Sequence, residues 1–231
     1  MNRQLAVMAA ANNVDWYTMM FDIHNLKYRV SNIAFTAIDS PPPLHSWMTT
    51  LDPDAQTKLE QLIKQHTGGG VVKDAFNCLN LSAHNYAELF SASWICATEV
   101  PDTDTSDWTR VSTKDDLLLW EAAWKPKQFP QGLRQFPDAV LKRSDIVIWG
   151  RNKARGFDAG VVANISQNCV GLSNYFGQAA YPAAAALCSG VCSGSLPVTG
   201  YERGEELIAA LNAGFSEAGK LKLWIRPAPV I

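Results

Sequence analysis

A short loop in the second half of the chain has the residue types and spacing that a phosphate-binding loop requires. Asn174, Gly177 and Ala179 follow an apolar segment that contains Gly171, and a helix rich in small residues begins near Pro182. A strand that passes into a helix through such a loop can place backbone amides around an anion. We therefore expect this segment to hold a phosphate-bearing cofactor.

Each residue of this segment has its own expected role. Gly171, inside a strand, permits a bulge that lets two neighbouring strands splay apart. Backbone groups near Leu172 and Ser173 can then bind an extended ligand arm that contains amides. A side chain larger than methyl at Gly177 or Ala179 would block the close approach of a phosphate. The alternative is an ordinary bulge followed by a simple turn.

Composition and charge describe a folded chain without the features of a nucleic-acid or membrane protein. Of the 231 residues, 47% are hydrophobic and 18% are charged, a balance typical of chains that bury a core. The net charge is −2 and the Lys and Arg residues are scattered, which argues against nucleic acid as a partner. No apolar segment approaches the roughly 20 residues of a membrane span, and no signal-peptide core is present, so we expect a cytoplasmic protein.

The five cysteines argue against a disulfide framework. Their number is odd and their neighbours are small or apolar, which suits free thiols in a reducing compartment. Cys188 and Cys192 stand four residues apart, but no His or carboxylate nearby completes a zinc site. We expect no structural metal.

The elements that position the loop follow from apolar spacing and from residues that break helices and strands. Helices are expected near residues 4–25, from Pro53 to His66, from Thr113 to Pro126, after Pro182 and from Glu205 to Asn212. Strands are expected from Val71 to Asn77, from Tyr86 to Ala97, in three segments joined by short turns after Asp145, around Val198 and at Lys220 to Arg226. The short turns predict an antiparallel meander that leads into the loop. No internal repeat is evident.

The order of these elements resembles the GNAT acetyltransferase superfamily. Residues 170–177, VGLSNYFG, look like the fourth strand of that superfamily as it enters the acyl-CoA loop. The segment from Asn174 to Ala179 resembles the loop motif, in which Gln or Arg is followed by Gly three residues later and by Gly or Ala two after that. Residues 200–226 are similar to the strand, helix and Gly-Phe ending that complete the fold. Asn174 departs from the motif, because it stands where Gln or Arg is usual.

The resemblance implies a fold, a cofactor and a class of acceptor. It implies an α+β fold over residues 91–231, with a GNAT-like mixed, mostly antiparallel sheet flanked by helices, and an N-terminal α/β extension over residues 1–90, as in some bacterial proteins of this superfamily. It implies acetyl-CoA or another acyl-CoA as cofactor and a small-molecule amine as acceptor; a homodimer is left open. The cofactor-binding residues that it implies are Gly171, Leu172, Ser173, Asn174, Gly177 and Ala179.

The proton-transfer groups that the superfamily uses are missing from their usual positions. The acid is usually a tyrosine four residues before the Gly of the Gly-Phe ending, and that position is Ala210 here. The strand before the loop carries no carboxylate to act as a base. Tyr201 and Glu202, at the end of the next strand, and Glu121, on the helix that borders the acceptor site, are the candidate replacements. Each has a structural alternative: ring packing, an ion pair, or a solvated helix position.

Two functions from different classes are therefore expected. One is an acyl-CoA-dependent N-acetyltransferase, which Gly177 and Ala179 favour. The other is a non-catalytic GNAT-like module that binds a cofactor, a small ligand or a partner protein, which Ala210 favours. The eight tryptophans are expected to pack in the core, with an aromatic acceptor pocket as the alternative.

Overall fold

The computed structural model describes residues 2–125, 134–192 and 196–227. Pro126, Pro130 and Gly132, which the sequence places at a helix end and in an irregular stretch, lie outside the described residues. The chain divides into two compact units. The first unit combines the residues up to Trp94 with those from Ala218 onward, and the second unit spans Ile95–Glu217.

Both units contain helices and strands. The described helices are α1 (Arg3–Ile23), α2 (Gln56–Gln65), α3 (Lys114–Trp124), α4 (Tyr181–Ser189) and α5 (Gly204–Asn212). The described strands are β1 (Tyr28–Val30), β2 (Ala34–Ala37), β3 (Met48–Thr50), β4 (Gly70–Asp74), β5 (Ala87–Ala97), β6 (Trp108–Arg110), β7 (Ile146–Lys153), β8 (Gly156–Ile165), β9 (Val170–Phe176), β10 (Val198–Glu202) and β11 (Ser216–Arg226). The sequence missed β1, β2, β3 and β6, because segments of three or four residues carry little periodicity.

The helices of the first unit form around apolar stripes. Asn2 caps α1 by accepting a hydrogen bond from the Leu5 amide, and the helix then buries residues such as Met20 and Phe21. In α2, Leu59 and Ile63 are buried at the predicted spacing. Asp52 does not cap α2; its Oδ1 accepts from the Asp54 amide in a turn that precedes the helix.

Strand pairing in the first unit begins as an antiparallel ribbon and then changes direction. β1 pairs with β2, and β2 with β3, both antiparallel. β3 then pairs with β4 in parallel, with α2 as the crossover between them. β11 pairs antiparallel with β4, which places the final strand in this unit, whereas the sequence had grouped it with the second part of the chain.

The second unit contains the predicted meander. β6, β7, β8 and β9 are paired antiparallel in that order, and β10 joins β9 in parallel after the crossover through α4. The side chains of Ala159, Val161 and Ala163 pack in one core cluster with the alanines of α4. Successive strand residues point to opposite faces, so α3, whose Trp120 lies at Gly160, covers the other face.

The two units repeat one order of elements, although the sequence showed no repeat. Each has a helix, three antiparallel strands, a crossover helix and a parallel strand. In each, the parallel ladder has two residue pairs: Met48↔Val72 and Thr49↔Lys73 in the first unit, Val170↔Val198 and Gly171↔Thr199 in the second. The repeated strands of the first unit, β1 to β4, have only three to five residues each, which explains why periodicity does not reveal the repeat.

The first unit fills the space beyond its parallel ladder with its own side chains. Thr50 Oγ1 accepts a hydrogen bond from the Ala75 amide at 2.9 Å. The Trp94 indole donates to the Ala75 carbonyl at 2.6 Å. Both backbone groups of Ala75 are thereby satisfied inside the protein, as buried polar groups require. The second unit has a different arrangement at the same point.

Replacement of Gly160 by Ala should destabilise the second unit. A Cβ at Gly160 would lie 2.8 Å from Phe176 Cζ and would overlap the Trp120 indole. Because both aromatic rings are packed, we expect the free energy of unfolding to fall by about 1–3 kcal/mol. The control is Gly190→Ala, whose new Cβ would lie 3.4 Å from its nearest neighbour atom. Denaturant unfolding measures the midpoints of both variants. Equal midpoints would show that the Phe176 and Trp120 rings move aside without loss of stability.

Candidate functional site

The bulge that opens the site lies at Asn174 and Tyr175. Along the β8–β9 ladder, Val162 pairs with Ser173 and Gly160 with Phe176, so β9 contains one residue more than β8 there. Asn174 has a φ of 51°, a conformation that Asn adopts more readily than most residues. The predicted bulge at Gly171 is wrong, because Gly171 pairs in register with both Asn164 and Thr199.

β9 and β10 diverge directly after their two parallel pairs. The ladder ends at Gly171↔Thr199, although both strands continue. At the point of divergence the strands are still close, because a Cβ on Gly200 would lie 2.7 Å from the Leu172 carbonyl oxygen. The space between β9 from Ser173 onward and β10 from Tyr201 onward is called the wedge below. Leu172 and Ser173 stand at its closed end.

Gly177 has a packing requirement in addition to the role that the sequence suggested. Its φ is 117°, and a Cβ there would lie 2.6 Å from the Ala159 Cα and 2.9 Å from the Asp158 carbonyl oxygen. The missing side chain therefore allows the loop to pack on β8. Ala179 has a φ of 52° and is exposed.

The loop is held closed by Tyr175. Its hydroxyl donates a hydrogen bond to the Gly177 carbonyl oxygen at 2.5 Å. Its ring packs edge to face on Tyr181, with 4.8 Å between the ring centroids. Burial raises the pKa of Tyr175 above its usual range, so the hydroxyl keeps its proton at neutral pH. The loop conformation is therefore set by side chains of the second unit itself.

Directly after the loop, α4 begins with Tyr181, which contacts both strands of the wedge: its ring packs on Tyr175 of β9 and its hydroxyl donates to Glu202 of β10. Ala180 is the N-cap and provides no side-chain hydrogen bond, and the first turn carries no acidic residue. Pro182 lies in the first turn, where its missing N–H costs nothing. The unsatisfied amides and the helix dipole favour an anion at such an end.

Glu202 lies at the end of β10, and the pKa of its carboxyl group is shifted from the usual value. The Tyr181 hydroxyl donates to Glu202 Oε1 at 3.2 Å. Burial raises the pKa of Glu202 from 4.5 to about 7; the nearby Glu206 carboxylate adds to this rise, and the hydrogen bond from Tyr181 opposes it. The pKa of Tyr181 is raised well above its usual range, first by burial and then by Glu202. Glu202 can therefore gain or lose a proton near neutral pH, as a general acid or base must.

The other two candidate catalytic residues are placed differently. Tyr201 is partly buried and, as the neighbour of Glu202 on a strand, points to the opposite face. Glu121 is only 2% exposed and accepts hydrogen bonds from the Gln135 amide at 2.6 Å and from the Arg134 guanidinium. Its carboxylate anchors residues 134–136. It is not the solvated helix residue that was considered as its structural alternative.

Sequence reasoning missed Tyr175, Tyr181 and Arg151, which also contacts the loop. The first two are aromatic and were counted with the apolar pattern, although a phenol beside a tight loop can serve as a hydrogen-bond donor. Arg151 lies on β7, more than twenty residues before the loop, so nothing local indicates its position.

These elements together have the fold of the GNAT acetyltransferases. A GCN5-related N-acetyltransferase from Kribbella flavida is similar with a TM-score of 0.59, 9% identity, and coverage of 95% of this chain and 96% of the other. An acetyltransferase of the GNAT family from Colwellia psychrerythraea has a TM-score of 0.52, 14% identity, and coverage of 87% and 85%.

An N-myristoyltransferase from Saccharomyces cerevisiae, with bound myristoyl-CoA, is also similar. Its TM-score is 0.52 at 10% identity, over 86% of this chain and 64% of the other. No protein-family model and no functionally curated protein matches the sequence. The predicted GNAT-like α+β fold is thus confirmed at the level of structure.

The part of the chain that the structure describes shows neither a metal-binding cluster nor a membrane-spanning helix. That part contains no group of three or more His, Cys, Asp or Glu side chains arranged to hold a metal ion. None of its helices combines the length and the apolar character that crossing a membrane requires.

Glu202→Gln should change how stability depends on pH. Between about pH 4.5 and 7, the folded protein keeps a proton on Glu202 that the unfolded chain releases, so wild-type stability falls as the pH rises through this range. Above pH 7 the ionised carboxylate costs the folded state at most about 3 kcal/mol. The neutral Gln removes this cost. The increase in the free energy of unfolding of Glu202→Gln over wild type should therefore be larger at pH 8 than at pH 5.

Denaturant unfolding at the two pH values checks this expectation. Exposed Glu205→Gln, two residues into the next helix, is the control, and it should shift stability equally at both pH values. If the difference in the free energy of unfolding between Glu202→Gln and wild type does not change with pH, the raised pKa of Glu202 is contradicted.

Glu121→Gln should reduce stability. The substitution removes the negative charge that faces Arg134. It also places the side-chain NH₂ group, itself a donor, opposite the Arg134 and Gln135 donors. Because Arg134 is partly exposed, we expect a loss of about 1–3 kcal/mol in the free energy of unfolding. An unchanged unfolding midpoint would show that Glu121 is not an anchor.

Proposed function

We propose that this protein is an acyl-CoA-dependent N-acetyltransferase that acts on a small amine. The observation that carries the proposal is the early end of the β9–β10 ladder, beside Tyr181 at the start of α4. The N-acetyltransferases with a similar fold support the same class of reaction. The described residues fit a cofactor that has an amide-containing arm and a phosphate end.

The cofactor would lie along the wedge. Its amide-containing arm would meet the backbone beyond Gly171, at Leu172 and Ser173. Its pyrophosphate would face the amides of the loop from Asn174 through Gly177 to Ala179 and the first turn of α4. The similar N-myristoyltransferase has bound myristoyl-CoA, which supports this ligand class for the fold.

The transfer requires attack of a neutral amine on the thioester carbonyl, with a new C–N bond formed and the C–S bond broken. A backbone amide near Leu172 or Ser173 would stabilise the oxyanion. The proton lost by the amine would pass to Glu202, whose pKa of about 7 suits this task. Glu202 lies three residues beyond Thr199, about 10 Å along the strand, so the transfer would run through water. The departing thiolate takes a proton from solvent.

A non-catalytic role has its own support. Ala210, at the position where the superfamily usually has its tyrosine acid, is completely buried on α5. The described residues of β9 carry no carboxylate. A module that binds acyl-CoA and does not transfer the acyl group is therefore the second candidate function.

Calorimetric titration with acetyl-CoA, followed by thiol release across a panel of small amines, tests these functions in turn. The transferase proposal expects micromolar to submillimolar binding and amine-dependent thiol release. Binding without release for any amine would support the module. No binding at near-millimolar acetyl-CoA would overturn both.

Gln178→Glu should weaken acetyl-CoA binding severalfold. Gln178 is exposed in the loop, so the substitution adds a negative charge beside the proposed pyrophosphate at nearly constant size. Gly177→Glu would be a poor test, because it would also clash with Ala159. Gln167→Glu makes the same change in the exposed β8–β9 turn and serves as the control. Equal affinities for the two variants would show that the cofactor does not use this loop.

A further inference from the structure

Arg151 reaches the loop from a strand that is distant in sequence. It lies on β7, and its Nη2 donates to the Gln178 carbonyl oxygen at 3.4 Å. Its Nε donates to Asp158 Oδ1 at 2.8 Å. The side chain is 23% exposed, so the guanidinium is held in place and still borders solvent. The ion pair with Asp158 keeps the pKa of Asp158 below its usual range.

An irregularity in the β7–β8 pairing places the two charges together. Arg151 pairs with Ala159 and Asn152 with Phe157, so Asp158 is an extra residue on β8. Such a bulge redirects side chains locally. Lys153 Nζ also approaches Asp158, at 3.7 Å, but it is 70% exposed and makes no described contact with the loop.

Arg151 and Tyr175 bind two successive carbonyl groups of the loop. Tyr175 binds the Gly177 carbonyl, and Arg151 binds the Gln178 carbonyl. The described peptide bonds are trans, and in a trans peptide the C=O and the following N–H point in opposite directions. The amides of Gln178 and Ala179 therefore point away from Tyr175 and Arg151. Adjacent N–H groups oriented together form an anion-binding concavity.

We propose that Arg151 is the positioning residue for this anion site, where it orients the loop amides toward the pyrophosphate of the cofactor. The proposal rests on the proposed function for the identity of the anion. It also accounts for Asn174, which is too short to supply the charge and reach of the Gln or Arg that usually begins the loop motif. Arg151 supplies a cation to the loop from β7, with Asp158 holding its guanidinium in one orientation.

The test compares Arg151→Met with Lys153→Met. Both variants remove one cation that contacts Asp158, but only the first removes the contact with Gln178. The probes are acetyl-CoA and its analogue that lacks the ribose 3′-phosphate, each titrated by calorimetry, and inorganic pyrophosphate, followed by NMR shifts of the loop amides. Arg151→Lys is the conservative variant, which keeps the charge but loses the forked donor geometry.

Arg151→Met should bind acetyl-CoA and the 3′-dephospho analogue about tenfold or more weakly, because it loses a charged hydrogen bond that orients the loop. Lys153→Met should bind both within about twofold of wild type, since exposed charges contribute little. Arg151→Lys should recover part of the loss. If Arg151→Met destabilises the fold, the comparison of Arg151→Lys with Lys153→Met takes its place.

The possible failures are distinct. Equal affinities of Arg151→Met and Lys153→Met would overturn the positioning role and leave the proposed function standing. If Arg151→Met loses affinity for acetyl-CoA but not for the 3′-dephospho analogue, the positioning role is also overturned, because Arg151 would then recognise the 3′-phosphate. A wild-type protein whose loop amides respond to pyrophosphate but which does not bind acetyl-CoA would retain the anion site and reject the function. No response to either ligand would overturn both.

Discussion

The parallel ladder between β9 and β10 ends after two residue pairs, and the candidate site depends on that early end. If the ladder continued, the backbone groups beyond Gly171 would be used by the neighbouring strand. Two features prevent this. The bulge at Asn174 turns β9 away, and Glu202 at the end of β10 is bound by Tyr181 of α4. The open end of two parallel strands thus lies beside Tyr181, the first residue of a helix, and helix N-termini favour anionic ligands.

In the first unit, which has the same topology, protein side chains fill the corresponding opening. Its ladder also has two pairs, but Thr50 and Trp94 bind the backbone of Ala75 just beyond it. Buried polar groups that are already satisfied offer little to a ligand. The repeated topology therefore contains one filled opening and one open wedge, and only the second is combined with a loop of positive-φ residues at Asn174, Gly177 and Ala179.

The features that the sequence predicted are local ones. The order of elements, the meander and the loop follow from the period of apolar residues and from small residues between a strand and a helix. Contacts between distant segments were not predicted. Gly177 packs against Ala159 on another strand, and Arg134 and Gln135 donate to the Glu121 carboxylate. The bulge lies three residues after Gly171, because the partner strand determines where an extra residue fits.

Hydrogen exchange with and without acetyl-CoA tests the central claim most directly, because it locates the ligand as well as detecting it. Our account predicts slower exchange for the amides from Leu172 to Tyr181 when acetyl-CoA is bound, and no change around Ala75 in the first unit. Protection around Ala75, or no protection in the loop at saturating acetyl-CoA, would contradict the assignment of the wedge as the cofactor site.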